Sequence, residues 1–387
     1  MKRKSQRKSS LIVLVFVIQL LAITAFPVEA ESYNVDDQRT VYATGTVGRG
    51  GAIWTLFDDG IVEIGGGIIS HNSRYGSPWR RHSQLVQTIV FTEPVVAGEH
   101  LVGLFSFLPQ LVAIENANYL DTTNVVDMSY MFEHAGRLTT VDVASWNTNN
   151  VVSMRRMFLG TSNLSTIDVS NWDTSNVETM HMMFVRTGLT ELDVATWDTS
   201  NVISMISMFN GARIEHLDLA NWNTENVTRM RSMFSGSHLI TLDVSGWNTS
   251  NVWDMPFMFH NATQLRSVTV GADFRLNEYP HFRPITPNQY YTGYWQNVGT
   301  GTIENPQGED VVGSRLLSNR INRLNTVDTF VWQPQPSTQN VPNHVVVWGD
   351  TLSELAVRFQ TTVAELVQLN NITNPDLIFV NQILILP

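Results

Sequence analysis

The sequence predicts an α/β chain. Its body is a solenoid, built as a parallel strand ladder plus short helices, opened by a β-rich N-terminal cap and followed by a small strand–helix–helix–strand module. Three observations carry this. Trp146, Trp172, Trp197, Trp222 and Trp247 recur at spacings of 26, 25, 25 and 25 residues. Thirteen of the 14 methionines lie between Met128 and Met258, twelve of them on two fixed positions of that period. Residues 343–387 place two capping boxes between two short apolar runs.

Each tryptophan opens a phrase: WNTNNVVSMRRMF, WDTSNVETMHMMF, WDTSNVISMISMF, WNTENVTRMRSMF and WNTSNVWDMPFMF, with an earlier copy, LDTTNVVDMSYMF, from Leu120. Before each Trp stands a run such as Leu164 to Val169 or Leu189 to Val194, whose apolar residues alternate around an Asp as a short strand requires. The N/D-T-x-N that follows Trp is a turn composition. Val, Met, Met and Phe then fall at offsets 0, 3, 6 and 7, as in Val177, Met180, Met183 and Phe184, which predicts one face of a short helix. Such a unit cannot bury its apolar face alone, so successive units stack, with strands about 4.8 Å apart. The methionines are expected in the core, where thioethers fill irregular gaps, and not as a metal or cofactor site.

Two columns invite a functional reading. Asp142, Asp168, Asp193, Asp218 and Asp243 occupy the outward strand position, where stacked carboxylates repel one another unless turn hydrogen bonds, cations or a basic partner offset them. They form either a ligand- or calcium-binding ridge or a structural ladder; spaced single carboxylates are not a clustered hard-cation cage, which favours the ladder. Asn124, Asn150, Asn176, Asn201, Asn226 and Asn251 are expected to be buried turn residues that satisfy backbone groups. The tryptophans are expected half-buried at the strand edge, for packing.

Ahead of the repeats, Trp54 to Gly67 reads as a β-hairpin turning at Asp59-Gly60, placed to cap the stack. At the front, basic residues 2–8 precede an apolar run from Leu11 to Ala25, then Pro27 and Val28-Glu29-Ala30. That order predicts a secretory signal peptide over 1–30. A retained anchor is the other reading, but fifteen residues fall short of the roughly 20 a spanning helix needs. No later segment is apolar enough to span a membrane. The resulting divisions are 1–30 signal peptide, 31–103 cap, 104–275 repeats, 276–332 C-terminal cap region, 333–342 Pro/Gln linker and 343–387 module.

Composition narrows the function. All three lysines lie in the first eight residues, and residues 31–387 carry 19 arginines against 34 acids. Such an acidic body does not suit nucleic acid, which needs basic surface to neutralise phosphates. The absence of cysteine excludes disulfides, thiolate metal sites, a cysteine nucleophile and a lipidated N-terminal cysteine. An L-P-x-T-G sorting signal is absent as well. The ten histidines are scattered, none in H-E-x-x-H, and there is no G-x-S-x-G elbow or phosphate loop. The chain is therefore expected to be no enzyme and to need no cofactor.

The repeat phrases resemble those of BspA-like leucine-rich-repeat surface proteins of Gram-positive bacteria and mycoplasmas, over about residues 100–275. That resemblance implies a leucine-rich-repeat-like solenoid and an exposed, non-enzymatic protein with a role in adhesion. The segments YYTGYWQNVGTGT and DTFVWQP resemble C-terminal caps of related lactic-acid-bacterial proteins. The stretch GDTLSELAVRFQTTVAELVQLNNITNPDLIFVNQILILP resembles a LysM domain, with Asn381 where Gly is usual and Trp348 in a position usually small or polar. The LysM resemblance implies binding of N-acetylglucosamine polymers, here peptidoglycan, in a groove between two loops. Those loops map to Gly349, Asp350, Thr351 and Leu352, and to Asn374, Pro375, Asp376, Leu377 and Ile378. The expected protein is exported to the cell wall and surface, held on peptidoglycan by the tail, and presents its solenoid to a host or matrix protein or glycan. A peptidoglycan hydrolase or an accessory wall-remodelling protein is the alternative.

Overall fold

The computed structural model describes residues 39–277, 280–335 and 343–387. The expected signal peptide lies outside them, as do residues 336–342 of the expected linker.

The chain enters through β1 (Val41–Thr46), β2 (Ile53–Phe57) and β3 (Ile61–Ile64), an antiparallel meander. Its turn falls at Asp59-Gly60, with Gly60 at φ 88°, a conformation that favours glycine. Thereafter strands stack in parallel on two rows. One row joins β3 to β5 (Thr88–Phe91), β7 (Ala113–Glu115) and β9 (Thr140–Val141). The other joins β4 (Gly67–Asn72), β6 (Val95–Val102) and β8 (Leu120–Asp121). The parallel ladder thus starts inside the segment expected to be only a cap. No Trp-Asx-Thr phrase marks these early turns, so the repeat pattern could not reveal them.

The second row continues through the repeats as a chain of single-residue bridges, His100–Asp127–Ser153–Thr179–Ser204–Arg229–Asp254. The whole is a β-solenoid of about eight turns. The short helices expected over the Val-Met-Met-Phe segments are absent: between residues 39 and 277 the described residues hold no α-helix, only 3-10 turns at Arg80–His82 and Ala117–Tyr119. Two observations explain this. The residue before the second methionine is left-handed in every repeat: Tyr130, Arg156, Met182, Ser207, Ser232 and Phe257, at φ 54–64°. A left-handed residue cannot continue a right-handed helix. The segment's N–H groups also serve the next turn. Met180, Met182 and Phe184 donate to the carbonyls of Ser204, Ile206 and Met208. The 0, 3, 6, 7 spacing therefore marks inward positions along a bent, strand-like path. A second left-handed column closes each turn at His134, Gly160, Arg186, Gly211, Gly236 and Asn261; three of the six are glycine, the residue with no steric cost there.

Inside, the phenylalanines stack face to face. Neighbouring rings from Phe132 to Phe259 lie 5.2–5.8 Å apart and within 11° of parallel. Trp172, Trp197, Trp222 and Trp247 stack likewise at 6.3–6.4 Å. The paired methionines are fully buried. The tryptophans are buried too, at no more than 4% exposure, and not half-buried as expected. Each indole N–H donates to a carbonyl of the preceding turn, for example Trp197 to Val169 O at 3.2 Å.

The pre-Trp strands are regular only at the ends of the repeat region. Strands β10 (His216–Asp218), β11 (Thr241–Val244) and β12 (Ser267–Val270) pair in parallel, whereas Leu164–Val169 and Leu189–Val194 form no strand. Antiparallel pairing ends the ladder. After β13 (Tyr291–Asn297), β14 (Val311–Val312) and α1 (Ser314–Ile321), β15 (Asp328–Pro334) lies against β12, and β13 against β15. Leu317 and Ile321 of α1 are buried in the same core.

The C-terminal module is β16 (Asn343–Val345), α2 (Leu352–Arg358), α3 (Val363–Asn370) and β17 (Ile383–Ile385), in the expected order. The two strands pair antiparallel. Val346, Leu352, Leu355, Ala356, Leu366, Leu384 and Leu386 form a core of their own. Among the described residues no helix is long and apolar enough to cross a membrane.

Candidate functional site

The Asp column is a set of turn acceptors. Oδ1 of Asp142, Asp168, Asp193, Asp218 and Asp243 accepts the N–H two residues on, from Ala144, Ser170, Ala195, Ala220 and Ser245, at 2.9–3.4 Å. The Ser170 hydroxyl and amide together hold the Asp168 carboxyl below the usual carboxylate range. Among the described residues no group of three or more His, Asp or Glu is arranged to hold a metal ion. Asn150, Asn176, Asn201, Asn226 and Asn251 are exposed, not buried, yet do serve the backbone. Each amide donates to the carbonyl 26 or 27 residues back, at 2.6–2.8 Å. The buried polar column is a different one. Thr122, Thr148, Thr174, Thr199, Thr224 and Thr249 are at most 2% exposed and donate forward to the next turn. Threonine in N/D-T-x-N was the available signal, but it read as ordinary turn composition.

In the module, the first loop is built around a left-handed turn at Gly349, φ 94°. Asp350 Oδ2 accepts the Val347 N–H at 2.8 Å and pairs with His344 Nε2 at 2.6 Å. Burial opposes ionisation of Asp350, but the Val347 amide, His344 and Arg358 outweigh it and hold the carboxyl below its ordinary range. Thr351 caps α2, its hydroxyl accepting the Glu354 N–H at 3.2 Å, and Thr362 caps α3 in the same way through Glu365. Leu352 turns into the module's core. In the second loop, Asn374 Oδ1 accepts the Asp376 N–H and Asn374 O accepts the Leu377 N–H. Pro375 and Asp376 are exposed; Leu377 and Ile378 are half-buried. Asn381, at φ 70°, adopts the left-handed turn that glycine would, and its N–H reaches Val346 O at 2.7 Å. Trp348 stands 90% exposed beside Gly349.

The structure separates the two predicted loops by what they face. Asn374 and Leu377 line a cleft of about 430 Å³ whose opposite wall belongs to the solenoid and its C-terminal cap. Gly349, Asp350, Thr351, Leu352, Pro375, Asp376 and Ile378 do not line it. The module is seated against the solenoid by Phe379, whose ring lies 4.7 Å from that of His216.

Residues 101–213 and 187–274 match the family model described as "Mycoplasma protein of unknown function, DUF285", and residues 344–387 match the LysM domain model. The chain carries a LysM domain at its C-terminus. Its repeats are similar to the Mycoplasma family of that description, and the match carries no leucine-rich-repeat name. The architecture, a β-solenoid with few helices, supports a repeat solenoid without being specifically of leucine-rich-repeat or α/β type. Neither the curated proteins nor the solved structures give a match. The LysM domain indicates binding of peptidoglycan- or chitin-type glycans, and a repeat solenoid of this kind is typical of cell-surface or wall-associated proteins.

Proposed function

We propose that the chain is an exported, cell-wall-associated surface protein, held non-covalently on peptidoglycan by its LysM domain, whose solenoid offers an adhesion or protein-interaction surface. The observation that carries this is the LysM domain itself, a complete strand–helix–helix–strand unit with its own core over the matched residues. In this reading the protein is not a catalyst: it recognises N-acetylglucosamine polymers through the backbone and apolar groups of the Gly349–Leu352 and Asn374–Ile378 loops. The solenoid supports the second half of the reading. Its turns are tied to one another by ring stacks and inter-turn hydrogen bonds, and it exposes polar Asp, Asn, Ser and Thr edges. Retention should resist moderate salt, because an acidic body gains nothing from charge attraction to an anionic wall.

Sedimentation of the full chain with purified peptidoglycan tests the reading. Co-sedimentation that free N-acetylglucosamine oligomers compete away is expected; a protein left in the supernatant refutes wall binding. Zymography on the same walls should show no clearing, since a cleared band would make the protein a hydrolase.

A further inference from the structure

The cleft between the LysM domain and the solenoid has the dimensions and chemistry of a binding site in its own right. Its volume, about 430 Å³, lies in the range of small-ligand pockets, roughly 300–1,000 Å³. On the solenoid side Tyr290, Tyr291 and Trp332 supply an aromatic wall, and on the LysM side stand Asn374 and Leu377 of the loop assigned to glycan binding. The main chain that carries this wall is held in place. Asn288 Oδ1 accepts the N–H groups of both tyrosines at 2.8 and 2.9 Å, and Gln335 N–H reaches Tyr290 O at 2.8 Å. Tyr291 packs edge-on against Trp332 at 5.3 Å, and the Arg266 guanidinium lies 5.7 Å from the Trp332 ring centre. Both tyrosines are half-buried, so part of each side chain stays accessible. The facing wall is fixed as well: the Asn370 amide ties the end of α3 to β17 through Ile385, and the His216–Phe379 contact sets the LysM domain on the solenoid.

The lining holds one acid, Glu215, and one base, Arg266; the rest is aromatic, aliphatic, carboxamide or hydroxyl. That balance does not suit a polyanion or an acidic peptide. It suits a neutral chain with apolar C–H faces and amide and hydroxyl edges. Sugar C–H faces lie against aromatic rings, whose edge and face carry opposite partial charge, and acetamido groups pair with carboxamides and hydroxyls. We propose that this cleft is a second subsite for an N-acetylglucosamine-type glycan. A chain bound at the Asn374–Ile378 loop would continue between the LysM domain and the cap, and lie on Tyr290 and Tyr291. The proposal rests on the LysM glycan-binding reading and extends it: the solenoid's cap takes part in recognition, so that long glycans bind more tightly than short ones. The Tyr291–Trp332 ring pair is braced before binding, which favours this, since those two side chains lose little freedom on contact.

The test is calorimetry of the full chain with N-acetylglucosamine oligomers of increasing length, for the native sequence and for Tyr290→Ala, Tyr291→Ala and Leu377→Ala. The expected result is that the tyrosine variants bind the disaccharide as the native chain does but lose roughly five- to tenfold in affinity for the pentamer. Leu377→Ala should weaken both. Tyr290→Ala guards against a folding defect, because the Tyr291 ring braces Trp332 and the Tyr290 variant leaves that contact intact; each variant's melting temperature is measured alongside. Equal pentamer affinity in native and tyrosine variants overturns the subsite while leaving LysM binding standing. Loss of disaccharide binding in the tyrosine variants overturns the division into two subsites. No binding of any oligomer to the native chain removes the LysM reading itself, and the subsite with it.

Discussion

In the solenoid each turn gives its polar groups to the next: Thr199 Oγ1 donates to Asn223 O one turn ahead, and Asn201 Nδ2 donates to Ser175 O one turn back. In the LysM domain the same kinds of side chain act locally. Thr351 and Thr362 accept amide protons three residues on, and Asn370 bonds within the module to Leu366 and Ile385. The cores differ in the same way. The Phe and Met columns run without a break from Met128 to Phe259, whereas seven residues close the core of the LysM domain. The difference teaches where damage should travel. A stacked array couples neighbours, so a defect in one turn lowers the stability of the turns on either side. A small closed core has little to lose before it fails.

The most severe way to break this contrast is a pair of core truncations. Phe184→Ala removes a fully buried ring stacked between Phe158 and Phe209 and should cost about 3–5 kcal/mol. Its effect should appear as a lowered solenoid transition, with peptidoglycan sedimentation at low temperature preserved. Leu366→Ala, in the LysM core, should cost about 2–5 kcal/mol, enough to unfold so small a unit. Glycan binding should vanish while the solenoid transition stays in place. Scanning calorimetry with parallel sedimentation reads both. A common shift of all transitions in both variants would show that the two regions fold as one.

An intermediate effect comes from pH, and it should fall on the solenoid. Burial lowers the His181 pKa from 6.5 to about 4, helped by Arg155, Arg156 and Arg229, and burial lowers His216 to about 4, with Thr241 and Phe379 against its ring. Both are neutral when folded, but the unfolded chain takes up protons near pH 6.5. Stability is therefore complete above about pH 6.5 and is lost as pH falls towards about 4. Because both rings are partly solvated, the sum is about 1–2 kcal/mol after allowance for screening. The turn-bonded carboxylates Asp121, Asp168 and Asp173, held low by the Thr or Ser two residues on, act only below that window. Melting temperatures between pH 7 and 4.5 should flatten in the double variant His181→Gln/His216→Gln. An undiminished slope would place the titrating groups elsewhere.

The stacked columns were legible because translation along the axis brings equivalent residues together, so a 25-residue period in sequence becomes a contact in space. The LysM helices were legible because a capping box is local. The failures had equally physical causes. Offsets of 0, 3, 6 and 7 fit a helix as well as a bent inter-turn path, and what decides between them is a left-handed residue borne by Tyr, Arg, Met, Ser and Phe side chains with no common signature. The indole N–H of each Trp seeks a carbonyl, which draws the ring fully inside, and composition alone cannot place that carbonyl. The cleft joins Tyr290 and Trp332 to Asn374 across long sequence separations; the β12–β15 and β13–β15 pairings that set its aromatic wall are non-local.

The smallest expected effect concerns the carboxylate ladder. Within the chain, the Asx turn after each Trp is held interchangeably by Asp and Asn: Asp173 and Asp198 accept from the residue two on as Asn147, Asn223 and Asn248 do. The turn therefore needs an oxygen acceptor, not a charge. The pre-Trp column makes the same bond with Asp at all five positions. Changing Asp142, Asp168, Asp193, Asp218 and Asp243 together to Asn keeps every acceptor and removes the repulsion between stacked carboxylates. The melting temperature should stay level or rise slightly, and calcium should shift neither the native chain nor the variant. If the native chain is stabilised by calcium and the variant is not, the column is a cation ridge; if the variant melts several degrees lower without any cation, the charges serve the fold in a way the turn bonds do not explain.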